Sequence, residues 1–297
     1  MRLLIAGWQG QLARALVELV PGRDDVSSFA VGRPALDLCE QPTIQRAMSD
    51  AKPDVIVNAA AYTAVDAAES DVDATFALNR DGARMLAEAA AARDIPIIHI
   101  STDYVFNGDL GRPYREDDAV DPQTVYGRSK LEGELAVAKA NPRHIILRTS
   151  WVYSASGSNF VRAILAKTEQ QDAIDVVCDQ HGSPTYAPHL AATIIDIAVQ
   201  VTGLAADAPV WGVYHAVGSG EASWFELAQA LLGESGRTGV QVNPIAASQY
   251  PTAATRPADS RLDCSKLETQ FGLRLPHWHD GLTACLDRLA RDAASAG

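Results

Sequence analysis

The chain has 297 residues, 47 % hydrophobic and 21 % charged, with a formal net charge of −12. That composition is ordinary for a soluble globular protein, long enough for one large core or two linked lobes. The acidic balance argues against a general nucleic-acid binder, which carries a basic face, but not against a small anionic ligand held by local arginines.

No run of about 18 apolar residues is available to cross a membrane, and the apolar start after Met1-Arg2 is too short for a signal peptide. Cys39, Cys178, Cys264 and Cys285 are scattered and form no C-x-x-C pair. They read as free thiols in a reducing compartment. A cytoplasmic protein with no nucleic-acid or membrane partner is expected.

Short apolar runs alternate with helical patterns through the first half, the signature of a parallel sheet wrapped by helices. Strands are expected over 3–6, 28–31, 53–57, 97–100 and 145–147. The helices between them fall over 11–20, 43–51, 72–94 and 126–140. After residue 150 the alternation loosens. Helices are expected over 158–169, 189–201, 223–232 (with Ser223 as N-cap) and 280–291. Short strands are expected over 175–177, 212–215 and 240–242, and an Arg/Pro-rich loop over 255–261. The pattern predicts an α/β fold: a Rossmann-like, doubly wound parallel sheet with a smaller, discontinuous C-terminal lobe. Residues 1–150 form the first domain and about 189–215 return to it, while 151–188 and 216–297 mainly build the second lobe.

Between the first strand and first helix lies Gly7-Trp8-Gln9-Gly10-Gln11-Leu12-Ala13. The spacing is G-x-x-G-x-x-A rather than G-x-G-x-x-G, but the physical task is the same. Glycines let the backbone turn tightly and approach a pyrophosphate seated on a helix N-terminus. Gly7, Gln9, Gly10, Gln11 and Leu12 are therefore candidate dinucleotide contacts. The second strand ends Val31-Gly32-Arg33, with no acid to accept from a ribose 2′-hydroxyl. Arg33 suits a 2′-phosphate and so NADPH; the other reading is a solvated loop arginine. Asp37 and Leu38 stand where a loop passes an adenine. Ala59, Ala60 and Ala61 after the third strand are small enough for backbone to pass close to a cofactor, or simply pack.

Ser101-Thr102-Asp103 ends the fourth strand, and the next helix begins Tyr126-Gly127-Arg128-Ser129-Lys130. Residues four apart share a helix face. A phenol titrates near 10, and an ammonium beside it favours proton exchange at neutral pH. A hydroxyl at a strand end can then hold a carbonyl oxygen against that tyrosine. Tyr-x-x-x-Lys alone also occurs by chance on surface helices. His99, His277 and His279 have no metal-ligand spacing and read as structural.

Several segments occur in order: Gly7-x-x-Gly10-Gln11-Leu12, 58–69 (Asn58 to Glu69), Ser101-Thr102-Asp103-Tyr104-Val105-Phe106, Tyr126-Gly127-x-x-Lys130-x-x-Gly133-Glu134, Arg148-Thr149-Ser150-Trp151-Val152-Tyr153, Asp179-Gln180-x-Gly182-x-Pro184-Thr185 and Arg256-Pro257-x-x-Ser260-Arg261-Leu262. Together they resemble the extended short-chain dehydrogenase/reductase family and, within it, the dTDP-4-dehydrorhamnose reductases. The resemblance implies transfer of hydride from NADPH, with NADH also accepted, to C4 of dTDP-6-deoxy-L-lyxo-4-hexulose, giving dTDP-L-rhamnose. It implies that Tyr126 protonates the C4 oxygen, that Lys130 lowers the tyrosine pKa and holds the nicotinamide ribose, and that Thr102 hydrogen-bonds the carbonyl. Trp151 would press on the deoxysugar; otherwise it is a core tryptophan. Thr63, Asp103 and Tyr104 would also face the sugar, although Asp103 can equally cap a turn. Arg256 and Arg261 would hold the dTDP pyrophosphate.

Some members of the family dimerise around Mg²⁺ held by carboxylates. The early positions here correspond to Ala15 and Pro188, which cannot ligate it. No metal is expected, and the chain should be a monomer or a homodimer not bridged by metal. Two rival readings remain: a sugar-nucleotide epimerase or dehydratase of the same fold, and a non-catalytic subunit like the regulatory subunit of methionine adenosyltransferase.

Overall fold

The structure is a computed structural model that describes residues 1–296. The chain runs β1 (Arg2–Ala6), α1 (Gln11–Leu19), β2 (Ser27–Val31), α2 (Gln41–Ala51), β3 (Val55–Asn58), α3 (Val65–Ala68), α4 (Val72–Phe76), α5 (Ala83–Ala91), β4 (Ile97–Thr102), α6 (Val125–Ala140) and β5 (His144–Thr149). It continues β6 (Val152–Tyr153), α7 (Phe160–Lys167), β7 (Ala173–Val177), β8 (His181–Gly182), β9 (Thr185–Tyr186), α8 (Ala187–Val201), β10 (Gly212–His215), β11 (Ala222–Ser223), α9 (Trp224–Glu234), β12 (Gln241–Ile245), α10 (Ser265–Phe271) and α11 (Trp278–Ala296). Among the described residues no helix is long and apolar enough to cross a membrane.

Six strands form one parallel sheet in the order β10-β5-β4-β3-β1-β2. Its strands are apolar runs because both faces are covered. Leu3 and Ile5 of β1 point into a core shared with α1 and α8, while Leu4 and Ala6 point into one shared with α2 and α5. The period of two is the pleat itself. Helix α10 adds Leu267 and Phe271 to the first of these cores. A third core lies away from the sheet and joins Tyr153, Tyr186 and Val176 to α9 and to Trp278 and Leu282 of α11. Here β7 pairs with β12, β8 with β11, and β6 with β9.

In-register pairing brings the ends of the central strands to one edge. Ala6 is opposite Asn58, and Thr102 is opposite Thr149. The chain runs from β1 over one face to β2 and from β3 over the other face to β4, towards opposite edges of the sheet, so a crevice opens between β1 and β3. Such switch points are where open α/β sheets hold ligands.

The helix expected over 72–94 is interrupted. Between α4 and α5, Ala77–Gly82 widens into a π-turn. Its buried Asn79 donates from Nδ2 to Tyr62 O (3.1 Å) and Ser129 Oγ (2.9 Å), and its Oδ1 accepts from Tyr62 N (2.7 Å). Regular winding has given way to side-chain bonds that fix the loop after β3 against α6.

Candidate active site

The turn after β1 has the form a phosphate cradle needs. Gly7 sits at φ +100°, and a Cβ on it would lie 3.3 Å from Ala60 N. An L side chain is strained there, and the turn passes directly against the end of β3. Gly10 is the N-cap of α1, with no side-chain cap and no acid in the first turn. A Cβ at Gly10 would meet nothing within 4 Å, so the approach to α1 is open beside Gly10, and the first N–H groups of a helix have no partner within it.

The other dinucleotide candidates differ in availability. Arg33 is exposed and makes no ion pair among the described residues. Asp37 accepts from Cys39 N (3.0 Å) through its carboxylate, and Leu38 is buried against Gly82. Ala59, Ala60 and Ala61 are half-buried at the crevice edge. Gln9 is exposed and Leu12 is in the core. Gln11 is already engaged: its amide donates to Val152 O and its Oε1 accepts from Ser154 Oγ and Asn159 Nδ2, both 2.8 Å. Trp8 lies over Gly32 at the end of β2.

Thr102 closes β4 and Tyr126 opens α6. That helix starts where it does because Thr124 Oγ1 accepts from Gly127 N (2.9 Å) and Glu69 Oε1 accepts from Val125 N (2.9 Å). Gly127 lets the helix seat on the turn after β4, since a Cβ there would lie 2.3 Å from Tyr104 O. The Tyr126 phenol sits beside the Thr102 hydroxyl and meets the Tyr104 ring edge-on at 5.5 Å. Burial pushes its pKa up to about 12; the Thr102 hydroxyl opposes this and the Asp103 carboxylate adds to it. Tyr126 therefore holds its proton at neutral pH.

Lys130 departs from the electrostatic expectation. Its Nζ donates to Ile100 O (2.6 Å), lies 3.4 Å from His99 Nε2, and makes no hydrogen bond to the phenol. Burial lowers it to about 8, with Glu134 opposing. Desolvation, not the ammonium, sets the phenol here. Beneath this layer Arg148 holds Glu134 in a bidentate pair (2.9 and 2.7 Å), and Ser101 Oγ also donates to Glu134.

Beside the sheet edge is a cavity of about 890 Å³, lined by Asp66, Tyr104, Trp151, Phe160, Gln180, Trp224, Tyr250, Arg256 and Ser260, among others. Trp151 is at φ +47° and stacks on Trp224, centroids 3.4 Å apart and planes 3° from parallel. Phe160 packs on the far ring at 4.6 Å. Gly182 makes room, because a Cβ on it would lie 2.4 Å from the Trp151 indole. Arg256 also lines the cavity. One of its nitrogens pairs with Asp66 (2.6 Å), and its Nη1 is buried without a partner.

Five of the residues expected to face the sugar nucleotide do not line this cavity. Arg261 is turned to Asp259 (2.6 Å) and Glu221 (2.7 Å) and does not line the cavity, because two carboxylates already occupy its guanidinium. Thr63 is exposed outside the cavity wall. Thr102, Asp103 and Tyr126 are buried and are not on its wall either; Tyr104, whose ring meets Tyr126, is. Sequence reasoning missed Phe160, Trp224 and Tyr250, which carry no local signal that separates a pocket aromatic from a core one.

A six-stranded parallel sheet with a glycine turn, a strand-end threonine and a Tyr-x-x-x-Lys helix at one edge defines an extended short-chain dehydrogenase/reductase. A family model described as RmlD substrate binding domain matches residues 1–291. The chain is 49 % identical to a dTDP-4-dehydrorhamnose reductase of Sinorhizobium fredii over 284 residues, 94 % of this chain and 95 % of that protein. A solved dTDP-4-dehydrorhamnose reductase of Clostridium acetobutylicum superposes with a TM-score of 0.91 at 33 % identity, over 98 % of this chain and all of that one. One from Bacillus anthracis, solved in complex with NADP, gives 0.87 at 33 % identity over 97 % of this chain and 99 % of that one. The chain belongs to the dTDP-4-dehydrorhamnose reductase family.

Proposed function

We propose that this chain reduces the C4 ketone of dTDP-4-dehydro-L-rhamnose to the alcohol of dTDP-L-rhamnose, using NADPH and also accepting NADH. The observation that carries the reading is a buried, protonated phenol with a hydroxyl beside it, next to an aromatic-walled cavity of nucleotide-sugar size. Hydride for the carbonyl carbon comes from the reduced nicotinamide when it is bound. Tyr126 gives its phenolic proton to the developing alkoxide, and Thr102 donates a hydrogen bond to the same oxygen. Lys130, largely charged at neutral pH, would hold the ribose hydroxyls next to the phenol. The first-turn N–H groups of α1 would hold the pyrophosphate, and Arg33 the 2′-phosphate. On the sugar side, the Trp151–Trp224 stack in the cavity wall suits the apolar side of a 6-deoxyhexose. The spare nitrogen of Arg256 suits the nucleotide diphosphate.

In this assignment residues 1–150 with about 189–215 serve the dinucleotide, and 151–188 with 216–297 mainly serve the sugar. A dehydratase would need an acid pair after the strand-end threonine, where this chain has Asp103-Tyr104. The test is redox stoichiometry with the ketosugar nucleotide made in situ. One NAD(P)H should be consumed per sugar, whereas an epimerase or dehydratase returns its cofactor unchanged. Tyr126→Phe should abolish turnover and keep cofactor affinity. No NAD(P)H oxidation by the purified chain, or near-normal kcat in that variant, rules the mechanism out.

A further inference from the structure

Thr102 has one hydroxyl proton, and two acceptors compete for it. Its Oγ1 accepts from Tyr104 N at 3.3 Å and donates to Asp103 Oδ1 at 2.9 Å. A carboxylate has no proton to return, so with Asp103 ionised that bond runs in one direction only. A threonine donating to Asp103 cannot also donate to a ketone oxygen. With Asp103 protonated the network inverts. The acid donates to Oγ1, Tyr104 N–H fills the second lone pair, and the threonine proton is released to the ligand.

The surroundings favour the acid form. Asp103 is 2 % exposed, its Oδ2 is buried with no partner, and it forms no salt bridge among the described residues. A buried carboxylate with one oxygen unpaired is costly, and a neutral acid much less so. Burial raises its pKa to about 6, opposed by the Thr102 hydroxyl bonded to it and by the Ser260 hydroxyl, which lies near without making a hydrogen bond to it. The ionisable groups around it are Tyr126 from α6 and Tyr104 in its own turn, with Arg256 and Asp66 beyond Tyr104.

We infer that Asp103 is a positioning residue whose protonation decides whether Thr102 donates to the substrate carbonyl. Asp103 keeps its proton through turnover and acts only through the threonine. The inference rests on the ketone-reduction reading above. The competent form is the acid, so activity is present below the Asp103 titration and lost as pH rises through it.

The experiment is kcat at saturating NADPH and ketosugar nucleotide, from about pH 5 to about pH 9, for wild type, Asp103→Asn and Thr102→Val. Wild-type kcat should fall by about tenfold per pH unit above the midpoint. The fall should stop near the Thr102→Val level, about a hundredfold down, the usual weight of one oxyanion donor. The Asp103→Asn amide donates to Thr102 at every pH. That variant should stay within about tenfold of the wild-type acid limit and lose the falling limb. Thr102→Val should lack the limb too, having no donor to switch. A fall near the Lys130 titration is common to all three enzymes. A limb that persists at the wild-type midpoint in either variant overturns the inference. So does an Asp103→Asn enzyme with Thr102→Val activity but intact NADPH affinity and melting temperature. No turnover by wild type would overturn the substrate reading and this inference with it, whereas a persisting limb overturns this inference alone.

Discussion

Helix α6 meets the π-turn at Gly133, where a Cβ would lie 2.2 Å from the Asn79 backbone oxygen. That oxygen cannot swing aside. It belongs to main chain whose own side chain is buried and bonded three times, to Tyr62 twice and to Ser129. Gly133→Ala gains about 1 kcal/mol of helix propensity. It loses roughly 1–3 kcal/mol to overpacking, towards the upper end because the obstacle is backbone. Net destabilisation of about 1–2 kcal/mol follows. Gly233 in α9 is the control, because a Cβ there meets nothing within 4 Å. Gly233→Ala should stabilise, by up to about 1 kcal/mol. Urea unfolding of the apo chain reads both as midpoint shifts of opposite sign at unchanged slope. Since α6 also carries Tyr126 and Lys130, Gly133→Ala should lower kcat as well. A Gly133→Ala midpoint at or above wild type would refute the close approach.

Arg33→Ala should weaken NADPH by roughly 1.5–3 kcal/mol, about tenfold or more in Kd, and leave NADH nearly untouched; titration with both cofactors checks it, and equal losses would make Arg33 a surface arginine. Arg148→Met leaves Glu134 buried with only the Ser101 hydroxyl, at a cost of roughly 3–5 kcal/mol, much of it recovered by the double change Glu134→Leu/Arg148→Met. Denaturant midpoints measure this, and a loss under about 1 kcal/mol in the single variant would sink the argument. EDTA should change neither mass nor activity, because Ala15 is packed in the core between α1 and α8 and Pro188 lies in the first turn of α8. Sedimentation that shows a dimer dissociating when magnesium is stripped would contradict this.

The sheet was legible because strands buried on both faces read as apolar runs, as β1 and β3 do. The Gly7 turn and the Tyr126/Lys130 spacing are local features and were equally visible. What stayed hidden depends on partners distant in sequence. The break at Asn79 is made by Tyr62 and Ser129, and nothing in 72–94 announces it. The Trp151–Trp224 stack and the Glu134–Arg148 pair exist only once β5, α6 and α9 are assembled. The residues of the candidate catalytic pair could be read, but not their electrostatics, because burial outweighs the ammonium only when depth is known. Arg261 looked available for phosphate until Asp259 and Glu221 were seen to hold it.

Gln11 opens the helix whose N-terminus is the candidate phosphate cradle, yet its side chain grips Val152, Ser154 and Asn159, the stretch that follows Trp151. The two candidate ligand sites are therefore joined mechanically through this side chain. Ordering α1 around one ligand also orders the chain beside the indole. Part of the entropy of arranging the second site is then lost before its ligand arrives. Such coupling is reciprocal: whatever factor the dinucleotide adds to the affinity for the sugar nucleotide, the sugar nucleotide returns. A side chain that touches neither reacting atom would thus govern how strongly each substrate senses the other.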